Sequence, residues 1–68
     1  MKIVKDNHLD HCENITRYEP YFDKDVNTAH IDHNNKTIRP CHGYFMPHKY
    51  GKLNKKYADK IGYTFNNN

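Results

Sequence analysis

No apolar run in this 68-residue chain approaches the ~20 residues of a membrane span. Met1-Lys2-Ile3-Val4-Lys5-Asp6 also lacks the apolar core of a secretory signal, so a cytoplasmic location is expected. Tryptophan is absent, and the hydrophobic share is low at 35%. Much of that share is six Tyr and three Phe rather than aliphatic side chains. A large aliphatic core is thereby excluded, and a small aromatic core or an adhesive aromatic surface is expected. A chain this short buries only ~60% of the surface its unfolded form exposes, so one thinly stabilised domain is expected, with a partner or a homodimer completing the core. Dense Lys/Arg blocks are missing too. The formal charge of +3, with six His uncounted, favours anionic partners without marking a dedicated nucleic-acid tail.

Cysteine is limited to Cys12 and Cys41, and no Cys-x-x-Cys pair exists. The two can be one disulfide, two metal ligands or two buried thiols, with the disulfide least expected in a cytosolic protein. A mixed zinc site from Cys12, Cys41 and two of His8, His11, His42 and His48 is chemically allowed, although its spacing is unconventional. No cofactor is expected, and the chain is expected to fold without metal.

What is present divides into short elements. Lys2-Ile3-Val4-Lys5 has two β-branched residues flanked by lysines, which suits an edge strand that resists further pairing. Ile15-Thr16-Arg17-Tyr18 alternates as a strand does, and Pro20 limits its continuation to an edge or a turn. Tyr18, Tyr21 and Phe22 are assigned to core packing, and Asp23-Lys24-Asp25 to a turn. Thr28 to Asp32 has the period-two pattern of a half-buried strand. Asn34-Asn35 suits a tight turn, with Thr37-Ile38-Arg39 returning as partner strand until Pro40. A β-hairpin over 28–39 follows.

Cys41 to His48 is broken by Gly43 and Pro47 and reads as a loop whose aromatics pack back. From Lys52 to Ile61, Leu53, Tyr57 and Ile61 recur at helical spacing, with Lys52, Lys55, Lys56 and Lys60 on other faces. That is an amphipathic helix. Gly62 suits a left-handed stop, and Tyr63-Thr64-Phe65 an extended segment. The expected fold is α+β: a single small domain over 1–65, with short antiparallel β-hairpins followed by the C-terminal helix and a disordered 66–68 tail.

The chemical signal is concentrated in His30-Ile31-Asp32-His33, which His8-Leu9-Asp10-His11 echoes at the same spacing. The echo is either a second ligand set or coincidence in a His-rich chain. Read as HIDHNNKT over 30–37, the segment resembles the His-x-Asp-His motif of His-Me finger, or HNH, nucleases of the phage endonuclease VII type. The resemblance covers about ten residues, and the Cys-x-x-Cys zinc frame usual in those relatives is absent. It implies a hairpin that carries metal ligand and base, with a helix behind it. By that resemblance Asp32 binds Mg²⁺ or another divalent metal and His33 is the general base on water. Arg39 clamps a phosphate, Asn54 is the helix-borne third ligand, and Lys52, Lys55 and Lys56 contact the DNA backbone. Without catalysis, Asp32 simply caps the hairpin turn on a polar face.

The competing expectation, and the favoured one, is a small basic binding protein. Tyr and Arg concentrate at binding hot spots, and Arg39, Tyr44, Phe45, Met46 and Tyr50, with Lys52 and Lys56, form the candidate patch. Richness in Asn, Lys, Tyr and Ile suits an AT-rich genome and, with the small size, points to a bacteriophage accessory protein that docks on a host protein of nucleic-acid metabolism or defence and inhibits or modulates it. Direct DNA binding through the helix lysines is a third reading.

Overall fold

The computed structural model describes residues 1–41 and 48–66, with the backbone alone for His48 and Lys49. Five strands, β1 (Lys2–Lys5), β2 (Cys12–Glu19), β3 (Lys24–Asp32), β4 (Thr37–Pro40) and β5 (Thr64–Phe65), form one sheet in sequence order. The helix α1 (His48–Ile61) stands between β4 and β5. Strands β1 to β4 form an antiparallel meander, whereas β5 returns parallel to β4 after the helix. The architecture is therefore a small α+β domain with β1 at the sheet edge.

Three hairpin loops are tied by the same device. A carboxylate at the end of the preceding segment accepts the N–H two residues on: Asp6 from His8 at 2.7 Å, Glu19 from Tyr21 at 3.2 Å and Asp32 from Asn34 at 3.0 Å. Such side-chain caps satisfy amides that the strand ladder leaves unpaired. The β2–β3 and β3–β4 loops also share a length of four residues, Pro20 to Asp23 and His33 to Lys36, each ending in a left-handed residue, Asp23 (φ 53°) and Lys36 (φ 54°). The expected hairpin over 28–39 is present, but Asn34-Asn35 is not a two-residue turn of its own. It lies inside the wider loop, and the positive φ falls on Lys36. Likewise the expected turn at Asp23-Lys24-Asp25 lies earlier, because Lys24 and Asp25 already pair with Glu19 and Tyr18.

The register of β2 against β3 slips by one between Ile15/Thr16, leaving Thr28 as the extra residue of a bulge. Consequently Thr28 and Ala29 are both fully buried, side by side in sequence. The core is Ile15, Ala29, Ile31, Ile38 and Ala58, with Ile3, Tyr57, Ile61, Tyr63 and Phe65 packed around it.

Helix α1 begins four residues before the predicted Lys52, and Tyr57 and Ile61 pack against the core as expected, but the most buried row of the helix is a different one. Leu53, expected in the core, is 44% exposed, whereas Tyr50, Asn54 and Ala58 at spacing of four are buried. The reason is a polar anchor. Arg17 on β2 donates to Asn54 Oδ1 from Nε (3.2 Å) and Nη2 (2.9 Å), while Asn54 Nδ2 donates to Thr28 Oγ1 (3.2 Å). Thr28 Oγ1 in turn donates to the Ile15 carbonyl at 3.0 Å. One turn earlier the Tyr50 hydroxyl donates to buried Glu19 at 2.5 Å. A hydrophobicity pattern sees none of these partners.

The helix ends as expected. Gly62 (φ 77°) follows Ile61, with Tyr63 N–H bonded to the Ala58 carbonyl (2.9 Å) and Gly62 N–H to that of Asp59 (3.3 Å), a Schellman closure. It delivers Tyr63 and β5 directly to β4. Asn66, expected in a disordered tail, donates its N–H to the Ile38 carbonyl at 2.8 Å. Tyr18 and Tyr21, assigned to the core, are 54% and 78% exposed, and Phe22 is half-buried. Alternation puts Tyr18 on the sheet face away from the helix, and Tyr21 sits in a loop.

Candidate functional site at one end of the sheet

Two adjacent dipeptides carry most of the chemistry. Cys12-Glu13 opens β2 and pairs with Asp32 and Ile31 on β3, and His33 follows Asp32 at once. Successive side chains on a strand point to opposite faces, so the same end of the sheet presents a different cluster on each side.

On the helix side stands Glu13–His33–Tyr63. His33 Nε2 lies 2.6 Å from Glu13 Oε1, and His33 Nδ1 lies 2.7 Å from the Tyr63 hydroxyl. A carboxylate only accepts, so in the neutral imidazole Nε2–H donates to Glu13 and the Tyr63 O–H donates to Nδ1. The rings of His33 and Tyr63 meet edge to face at 5.6 Å. The group is a carboxylate–imidazole–phenol series joined through both ring nitrogens of His33. Glu13 and Tyr63 were not singled out from sequence. The only signal for Glu13 was its place beside Cys12, and Tyr63 arrives through the helix cap.

On the opposite side stand His11, Cys12 and Asp32, with one nitrogen, sulfur and oxygen donor atom each, all within 4.8 Å of one another. His11 Nε2 is 4.0 Å from Asp32 Oδ1. Burial, reinforced by the carboxylates of Asp32 and Asp6, raises the Cys12 thiol above its ordinary pKa, against a smaller opposing pull from Arg39. Asp32 is held below the usual aspartate value, chiefly by the Asn35 side-chain amide (2.8 Å), with the Asn35 and Asn34 N–H groups adding to it. The cap expected for a non-catalytic Asp32 is thus built in full.

The residues named by the nuclease resemblance are distributed rather than gathered. Asp32 serves the turn and the open side, and His33 has both ring nitrogens bonded on the helix side. Asn54 is 1% exposed and held by Arg17 and Thr28. Arg39, opposite His30, is exposed. The two cysteines are both free. Cys12 faces Asp32, whereas the Cys41 N–H bonds to the Thr28 carbonyl, four residues away along β3 or ~13 Å of strand. Cys12 and Cys41 therefore sit too far apart to share one metal or a disulfide. Tyr50, expected in a surface patch, is 5% exposed, while Lys52 and Lys56 are exposed. His42, Tyr44, Phe45 and Met46 lie outside the described residues.

Compared with known proteins, the chain matches no family model, no curated protein and no solved structure. No helix among the described residues is long and apolar enough to cross a membrane.

Proposed function

We propose that this is a small basic binding protein that docks on an acidic surface of a partner protein, a host protein if the gene is a phage's. The observation that carries the reading is the outer face of α1. Lys52, Lys56 and Lys60 recur every four residues, about 6 Å apart along the helix, all exposed and without an ion-pair partner among the described residues. Leu53, at 44% exposure, lies in the adjacent row, three residues from Lys56 and so its neighbour on the helix surface. An apolar contact rimmed by unpaired cations suits a protein surface of opposite charge, which steers encounter while Leu53 supplies the buried centre. Among the described residues, the aromatics that are more than half exposed, Tyr18 and Tyr21, lie off this helix face, in β2 and the β2–β3 loop.

A metal-dependent endonuclease is the second reading, favoured by the order β3, β4, α1, a hairpin followed by a helix. One experiment separates the two. Partner capture from host lysate is run with wild type, Leu53→Asp and Lys56→Glu, beside a nicking assay on supercoiled and branched DNA with Mg²⁺ or Mn²⁺ for wild type and His33→Ala. A stoichiometric partner lost in both helix variants, with no nicking, is expected. Nicking by wild type that disappears in His33→Ala would overturn the binding reading, since loss of a general base costs on the order of 10² to 10⁴ in rate.

A further inference from the structure

We propose that His11, Cys12 and Asp32 bind one divalent transition metal of the zinc class on the sheet side opposite the helix. The three donors come from neighbouring chain segments and lie within 4.8 Å of one another. Tetrahedral bonds of ~2.0–2.3 Å set donor separations of about 3.3 to 3.8 Å, so the site closes by a movement of about one ångström. His11 supplies that movement. It precedes β2 in the β1–β2 loop, and its side chain is 37% exposed, whereas the Asp32 side chain is 23% exposed and fixed by its turn. The His11 backbone is already anchored, because its carbonyl accepts the His33 N–H at 3.0 Å.

The donor set selects the metal. A thiolate with an imidazole favours zinc over magnesium or calcium, which take oxygen ligands. The Cys12 thiolate and the Asp32 carboxylate together neutralise the dication, and the S–H proton passes to solvent on binding while His11 binds as neutral imidazole. Three protein ligands leave the fourth position to water. The central cluster of Ile15, Ala29, Ile31, Ile38 and Ala58 includes none of the three ligands, so the protein is expected to fold without this metal.

The test is cobalt titration of the reduced protein, read by its thiolate-to-cobalt charge-transfer absorption, followed by zinc competition. Wild type and Cys41→Ser are expected to give the band, saturating at one equivalent and abolished by one equivalent of zinc. Cys12→Ser is expected to lose it. Asp32→Asn, which keeps Oδ1 for the turn amides, and His11→Ala, altered in the partly exposed loop, are expected to weaken cobalt binding by more than about tenfold. These two variants carry the test should Cys12→Ser fail to fold by circular dichroism. Absence of the band from wild type with both thiols titratable would overturn the proposal. So would a band lost in Cys41→Ser, or unchanged binding in both His11→Ala and Asp32→Asn.

Discussion

Arg17 donates two hydrogen bonds to the single Oδ1 of Asn54, at 3.2 and 2.9 Å, joining the second strand of the sheet to the middle of the only helix among the described residues. Because Asn54 is 1% exposed and also donates to Thr28, its removal takes from Arg17 the acceptor of two hydrogen bonds and from Thr28 one of its two partners at the helix–sheet boundary. Asn54→Ala is expected to destabilise by ~1–3 kcal/mol. Leu53→Ala, one residue away on the exposed face, is expected to change stability by no more than about 0.5 kcal/mol. Equal losses for the two in urea denaturation would show that the helix presents the other face.

Ile38 is fully buried between Ile31 and Phe65, its partners on β3 and β5. Ile38→Ala is expected to cost ~2–5 kcal/mol, which in so small a domain removes most of the folded population. An unchanged thermal midpoint would refute the core assignment.

The acid limb of stability is expected to follow the loop carboxylates. Asp6 is held below the ordinary aspartate pKa first by the His8 N–H, and Asp32 first by the Asn35 side chain. The unfolded chain binds these protons at higher pH than the folded one does, so the contribution is fully present above about pH 4 and lost as pH falls through the depressed values. Thermal midpoints between about pH 5 and about pH 2 should decline less steeply in the Asp6→Asn/Asp32→Asn double variant than in wild type. Parallel curves would contradict this.

The two thiols should differ in reactivity. Cys12 is 8% exposed with its pKa raised by burial and flanking carboxylates, whereas Cys41 is half-buried. The thiolate is the reactive form, so a chromogenic disulfide reagent should label Cys41 first and Cys12 in a separate slow phase. Cys41→Ser should abolish the fast phase, and a single phase for two thiols in wild type would oppose the assignment.

Gly62 holds φ 77° at the helix end. Gly62→Ala is expected to destabilise by ~1 kcal/mol, since a left-handed backbone strains any residue with a Cβ. Loss of Tyr63 from its place beside His33 should accompany it, visible as a shift of the His33 ring protons in NMR.

Local signals were sufficient for the edge strand Lys2–Lys5, the hairpin around Asp32, the helix ending at Gly62 and the extended Thr64-Phe65, because alternation, periodicity and backbone preference act between near neighbours. The α+β class follows from these alone. The adjacency of Asp32 and His33 was also legible, and strand alternation already assigns them to opposite faces. What only the tertiary structure decided is what those faces meet: Glu13 and Tyr63 around His33, and His11 and Cys12 beside Asp32. It decided as well that Asn54 rather than Leu53 turns inward. The physical reason is the same throughout. A one-residue bulge at Thr28 and a part-buried Arg17–Asn54 bond set register and helix rotation through pairings across 13 and 37 positions of sequence, and hydrophobic periodicity carries no record of a polar partner so far along the chain.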